Sequence, residues 1–208
     1  MIMPSLQRIK DVVKKISSIE PLGKHMCLFG GATPYMYYKE ESNRDHSDID
    51  ILVDEEYINV IRELAKQNNI YIPERDSLNL NLDDDYGFKL FIDGVYVEFE
   101  PMSIADGYLA RKSFSPNKEL AGVEKIPFQE LTDLKVEIDI DGIKTYCQSP
   151  ELIKAEKEQY RREKDLLDIK FIDSQGIDMD KYTRVKKAME LSIVSMDSYE
   201  NLRNKNVL

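Results

Sequence analysis

Apolar residues near the start of the chain follow first a helical and then an extended period. Leu6, Ile9, Val12, Val13 and Ile16 repeat with the spacing of an amphipathic helix, and Ser5 stands at its N-cap position. Pro21 and Gly23 end that helix. The apolar run from His25 to Phe29 reads as a buried strand entering a turn at Gly30-Gly31. A short helix is predicted over Ala32 to Lys39, then a polar loop over Ser42 to Ser47. Asp48-Ile49-Asp50-Ile51-Leu52-Val53 reads as a strand. Asp54 is placed to cap the next helix, whose apolar positions are Tyr57, Ile58, Ile61 and Leu64. Leu78, Leu80 and Leu82 alternate with polar residues, as do Phe88, Leu90 and Ile92. Asp93-Gly94 is a hairpin turn signal, with a return strand from Val95 to Phe99 that stops near Pro101.

Between Met102 and Asp133 no period stands out, and loops with a short helix are predicted. A second hairpin follows, with Val136, Ile138 and Ile140 before Asp141-Gly142 and Ile143, Thr145 and Cys147 after it. Ser149-Pro150 is a helix start, with Ser as cap and Pro at the first helical position. That helix is predicted to reach about Ile172, and a last one to run from about Asp180 past Leu191. The order implies an α+β fold: a mixed β-sheet flanked by helices, then a C-terminal helical extension. A boundary at Cys147 to Pro150 divides the chain into residues 1–148 and 149–208.

The chain has 208 residues, of which 42% are hydrophobic, enough to build a core. Its formal net charge of -10 opposes bulk nucleic-acid binding and favours metal cations, small substrates or a basic partner. Cys27 and Cys147 form no CxxC pair and read as buried free thiols, which points to a reducing, cytoplasmic setting. The start carries no signal-peptide pattern, and no segment approaches the roughly 20 apolar residues that span a bilayer.

The most informative pattern is Phe29-Gly30-Gly31, a spacer, then Ser47-Asp48-Ile49-Asp50-Ile51. Strand residues two apart share a face, so Asp48 and Asp50 project together while Ile49 and Ile51 face the core. Two carboxylates a few ångströms apart repel by about 4 kcal/mol at an intermediate dielectric. Protonation, solvation or a cation must relieve that, and magnesium suits carboxylate and phosphate oxygens. Gly30 and Gly31 let backbone N–H groups approach a phosphate, and a helix starting at Ala32 adds its N-terminal dipole. Thr33 or Ser47 is a candidate hydroxyl near the phosphates. His46 reads as a surface loop histidine, His25 as a strand-end histidine, and Tyr35, Tyr37 and Tyr38 as half-buried packing.

The segment from Phe29 to Val53 resembles the signature of the DNA polymerase beta-type nucleotidyltransferase superfamily: an apolar residue, a glycine pair, a spacer, and two acids separated by one apolar residue. The spacer, Ala32 to Ser47, is longer than in minimal members. It is more similar to antibiotic nucleotidyltransferases and abortive-infection nucleotidyltransferase-like toxins. About 25 residues match closely. The resemblance implies transfer of a nucleoside monophosphate from a nucleoside triphosphate such as ATP to an acceptor hydroxyl, on a small molecule, protein or RNA, with pyrophosphate leaving. It implies two magnesium ions, with Asp48 and Asp50 as metal ligands, and a place for Arg44 near the nucleotide.

The family carries a third acid on a neighbouring strand. Glu98 and Glu100 are candidates on one face of the return strand, and the resemblance favours Glu98, where the family usually has Asp. It also implies that Lys154 reaches the triphosphate, and that Arg162-x-Lys164-Asp165-x-x-Asp168 follows the catalytic sheet. Lys154, Lys157, Arg161 and Lys164 would line one face of a single helix. Asp165 and Asp168 read as structural partners of nearby basic residues. The alternative to an enzyme is a catalytically silent nucleotide-binding or toxin–antitoxin component with the same fold.

Overall fold

A computed structural model describes residues 5–19, 22–42, 44–80, 82, 84–115 and 120–198. Pro21, Asn43 within the predicted polar loop, and residues 199–208 of the predicted extension lie outside the described residues. Helix α1 (Leu6–Ser17) begins as the pattern requires, with Ser5 Oγ accepting from the Arg8 N–H. Strand β1 (Met26–Phe29) leads to the short helix α2 (Thr33–Tyr38), then to β2 (Asp48–Asp54) and α3 (Glu55–Gln67). Asp54 stands at the N-cap of α3 without a side-chain capping bond, because its Oδ2 is engaged by His25 Nδ1 at 2.8 Å.

Strands β3 (Tyr71–Asp76), β4 (Phe88–Ile92) and β5 (Val95–Ala105) come next, then β6 (Tyr108–Ser115) and β7 (Leu120–Pro127). The predicted strand at Leu78, Leu80 and Leu82 is instead a single 3-10 turn over Ser77–Leu80. Buried Asp76 starts that turn by accepting from the Leu78 N–H, and the strand lies just before it. The segment predicted as loops after Met102 is a meander: β5 continues to Ala105, and Asp106-Gly107, both at positive φ, turn it into β6.

After the short helix α4 (Leu131–Leu134), the predicted hairpin is present as β8 (Lys135–Ile140) and β9 (Ile143–Gln148). The predicted long helix is two: α5 (Pro150–Tyr160) and α6 (Glu163–Gln175). Arg161, in the left-handed region at φ 51, ends the first. Helix α7 (Met179–Glu190) and strand β10 (Ile193–Ser198) follow. The C-terminal extension is therefore not wholly helical, since β10 pairs with β7 at the sheet edge.

The strand order is β10-β7-β6-β5-β2-β1-β9-β8, with β4 beside β5 and β3 beside β4. It is mixed: β2 runs antiparallel to β1 and parallel to β5. One face carries Leu28, Ile49, Ile51, Val53, Val97 and Phe99 and is covered by α1 and α3. The other carries Cys27, Leu52, Met102 and Leu109 and is covered by Leu152 and Ala155 of α5 and Tyr182, Val185 and Met189 of α7. The last third thus shares a core with the sheet. Among the described residues no helix is long and apolar enough to cross a membrane.

Away from that second face, Arg62 of α3 is buried with Asp76, and their side chains are 3% and 1% exposed. Arg62 Nε donates to Asp76 Oδ2 at 2.6 Å and Nη2 to Asp85 at 2.8 and 2.9 Å. Removing one partner leaves the others buried and uncompensated. Arg62→Met is expected to lower unfolding free energy by about 3–5 kcal/mol in urea melts. A loss within the scatter of surface substitutions would show that the network contributes nothing.

Candidate active site

The parallel register of β2 and β5 sets Asp48 beside Tyr96, Asp50 beside Glu98 and Leu52 beside Glu100. Alternation puts Asp48, Asp50 and Leu52 on one face of β2, with Ile49, Ile51 and Val53 buried on the other. Leu52 lies in the core beneath α5 and α7. Asp48 and Asp50, at the start of the strand, instead line a cleft of about 450 Å³. Its walls include Gly30, Gly31, Arg44, His46 and Ser47 on the sheet side and Lys157, Arg162 and Lys164 from the helices.

Gly30 has φ +76, and a Cβ there would sit 2.0 Å from Asp50 Oδ2. A Cβ on Gly31 would sit 2.1 Å from Arg44 Nη2. The bend is pressed between the acid and the guanidinium, so only residues without side chains fit.

Burial pushes the Asp50 carboxyl up to about 7, and the neighbouring Asp48 and Glu98 add to the rise against Lys89 and Lys164. Asp48 accepts from the Ser47 hydroxyl at 3.0 Å. Burial also raises Glu98, opposed by its ion pair with Lys89 of β4. Glu100 is raised well above the usual carboxylate range, by burial first and then by Glu98. It lines a second cavity of about 470 Å³ that shares Gly30 and Asp50 with the first. This donor set fits a hard divalent cation: crowded carboxylates whose charge is disfavoured gain most from one. Among the described residues no group of three His, Cys, Asp or Glu side chains is assembled as a ligand set. Asp48 and Asp50 are the two carboxylates of β2 that face this cleft together, and magnesium sites commonly use one or two carboxylates beside substrate oxygens.

The basic side is braced from below. Arg44 forks onto Asp168 of α6, with Nε at 2.8 Å and Nη2 at 2.7 Å from its two oxygens. Lys157 Nζ is 2.8 Å from Asp168 and 3.4 Å from Asp165. Burial alone would raise the Asp168 carboxyl, but Arg44 and Lys157 outweigh it and hold it below its ordinary value.

Of the residues singled out from sequence, Asp48, Asp50, Gly30, Gly31, Arg44 and Ser47 all line the first cleft. Glu98 adjoins Asp50 through the strand register. Thr33 is fully buried, and its hydroxyl donates to the Phe29 carbonyl at 2.6 Å, fastening the bend from behind. Lys154 lies outside the cleft, 2.5 Å from Asp173 and over the Tyr182 ring at 4.5 Å. Lys157, one turn further along α5, lines it instead. The single basic face predicted from Lys154 to Lys164 does not form, because Arg161 separates the two helices.

His46, read as a surface residue, is only 4% exposed. Its Nε2 meets Ser42 Oγ at 2.7 Å and its ring edges Tyr35 at 5.3 Å. Burial and then Arg44 lower it to about 4, so it is neutral at pH 7. Tyr35 is fully buried and stacks on Phe171 at 4.2 Å, a packing role. His25 stacks on Tyr57 at 3.9 Å.

No protein-family model matches the chain, and no curated protein sequence matches it. Solved structures do. The lincosamide antibiotic adenylyltransferase LnuA, bound to lincomycin, aligns with a TM-score of 0.57 at 18% identity, covering 84% of this chain and 100% of that one. The antibiotic-resistance factor ANT(2'')-Ia aligns with a TM-score of 0.55 at 17% identity, covering 90% of this chain and 93% of that one. The chain therefore has the fold of the antibiotic nucleotidyltransferases.

Gly30→Ala forces a Cβ onto Asp50 at a left-handed backbone position. It is expected to lower stability by at least about 1–2 kcal/mol in urea melts. An unchanged midpoint would mean that the bend is not held against the acid. The Asp168 ion pairs also set a pH dependence. Its folded pKa is depressed, so its contribution is fully present above the unfolded value of about 3.9 and is lost as pH falls towards the folded one. Plotted against pH, the acid limb of stability should be shallower in Asp168→Asn than in the wild type. Parallel limbs would contradict the assignment.

Proposed function

We propose that this chain is a metal-dependent nucleotidyltransferase that moves a nucleoside monophosphate from a nucleoside triphosphate to an acceptor hydroxyl, releasing pyrophosphate. The observation that carries the reading is the contact of the Gly30-Gly31 bend with Asp50 on one side and Arg44 on the other, inside one cleft. The fold shared with LnuA and ANT(2'')-Ia supports it.

Asp48 and Asp50 would hold magnesium. When bound, the ion supplies charge stabilisation at the phosphate oxygens and eases deprotonation of the attacking hydroxyl. The bend admits the phosphates close to the backbone, while Arg44, Lys157, Arg162 and Lys164 balance their charge. Glu98, in register with Asp50, takes the acceptor's proton, and Lys89 favours its ionised form. The second cavity, which joins the first at Gly30, Asp50, Lys157 and Arg162, offers room for the acceptor, and its own acid, Glu100, lies two residues from Glu98 on the same strand. A second magnesium ion would draw on Glu98 and would have to displace Lys89. LnuA is a lincosamide adenylyltransferase by description; a small hydroxylated molecule as acceptor and ATP as donor carry over to this chain as part of the proposal. Both thiols are buried and free, which suits a cytoplasmic protein.

The Lys89–Glu98 pair favours one competing reading, a nucleotide-binding module without turnover, since it engages the third acid. Incubation with labelled triphosphates and a panel of hydroxyl acceptors separates the two. Pyrophosphate release supports the transferase, and tight binding with none released across the panel supports the silent module. Asp48→Asn and Asp50→Asn are each expected to cut turnover by about a hundredfold or more and to abolish magnesium-dependent triphosphate binding. Unchanged affinity in both variants would remove the basis of the proposal.

A further inference from the structure

We infer that Asp168 and Asp165, buried beneath the cleft, are positioning residues that assemble its phosphate-holding cations from three separate segments; this rests on the nucleotidyltransferase reading. Both side chains are 0% exposed, and they lie three residues apart on α6, hence on one helix face. Asp168 receives the guanidinium fork of Arg44 from the loop before β2, the Lys157 ammonium from α5 and the Tyr35 hydroxyl at 3.2 Å. Asp165 receives Lys157 and, at 2.7 Å, Nε of Arg162, the N-cap residue of α6. Arg44, Lys157 and Arg162 all line the cleft that Asp48 and Asp50 line.

Three features assign more than a packing role. The fork fixes both distance and plane of the Arg44 guanidinium, and that group lies against Gly31. Two carboxylates hold three cations, so this edge keeps one positive charge beyond its anchors, set against Asp48 and Asp50 on the same cleft. The cations come from separate elements and would each sample many rotamers without a shared anchor. The ligand this edge is built for is a polyphosphate chain.

The test is titration of the full-length protein with inorganic tripolyphosphate in the presence of magnesium, which removes any dependence on base or acceptor. Circular dichroism and thermal melts accompany each variant. Asp168→Asn should weaken binding by roughly tenfold to a hundredfold, the scale on which loss of an orienting partner weakens a site. Arg44→Lys keeps the charge but loses the fork, and should fall in the same range even if Asp168→Asn does not fold. Asp168→Glu should recover part of the affinity. Arg62→Met, which loosens the fold elsewhere, should leave it unchanged. Binding by folded Asp168→Asn or by Arg44→Lys within about twofold of wild type overturns the inference. So does an equal loss in Arg62→Met, which would tie affinity to stability alone. No binding by the wild type overturns the nucleotidyltransferase reading itself, and this inference with it.

Discussion

The constraint on which the site depends is the approach of a backbone to a carboxylate, where Gly30 turns with positive φ directly against Asp50. Much else follows from keeping those two together. Strands β1 and β2 pair antiparallel with Phe29 opposite Asp50, so the residue before the bend and the acid are neighbours by register. Buried Thr33 ties back to the Phe29 carbonyl and closes the bend from behind. The opposite face of β2 is filled by Ile49, Ile51 and Val53, which prevents a one-residue slip that would turn the acids inward. Hydrophobic burial on one face thus specifies the placement of charge on the other.

The charge distribution resolves an apparent conflict between a chain of net charge -10 and a polyphosphate ligand. Acidic side chains dominate in number, but the cations at the cleft are localised and held. Arg44 and Lys157 are both spoken for by Asp168, yet both remain at the cleft wall. A surface this acidic repels long phosphate backbones beyond a Debye length, while a local cluster still acts on one short anion at contact distance. On the proposed reading, the arrangement favours a single nucleotide over a nucleic acid.

Elements with strong local signals were legible in the sequence. The strand DIDILV carries its face assignment in its alternation, and Ser5 and Ser149 mark helix starts that the structure retains through bonds to Arg8 and Leu152. The Asp-Gly turns at 93–94 and 141–142 were readable, and the same pair at 106–107 marks the turn into β6. No alternating period announces that turn, because the flanking strands mix polar and apolar residues. The alternation of Leu78, Leu80 and Leu82 does not make a strand, because buried Asp76, held by Arg62, accepts from the Leu78 N–H and starts a 3-10 turn there. At the site, the acids and glycines were legible because their spacing is local. His46 and Lys157 were not, since their burial depends on contacts with α2, α5 and α6 that no local pattern encodes.

The break at Arg161 is the step that joins fold to site. In one unbroken helix, Lys157 and Lys164 would lie seven residues apart on one face, about 10 Å along the axis. The left-handed residue instead ends α5, and Arg162 begins α6 as an N-cap whose own backbone N–H is bonded by Asp165. The chain changes direction just where it passes the cleft, and Lys157, Arg162 and Lys164 line one wall from two helices rather than one. Lys154, a turn before Lys157, remains on the straight part of α5 and is drawn to Asp173 and Tyr182. The number of basic residues in this stretch mattered less than the position of the turn among them. A non-glycine residue at positive φ is an unfavourable conformation, and here it coincides with the turn that brings Lys157, Arg162 and Lys164 to one wall of the cleft.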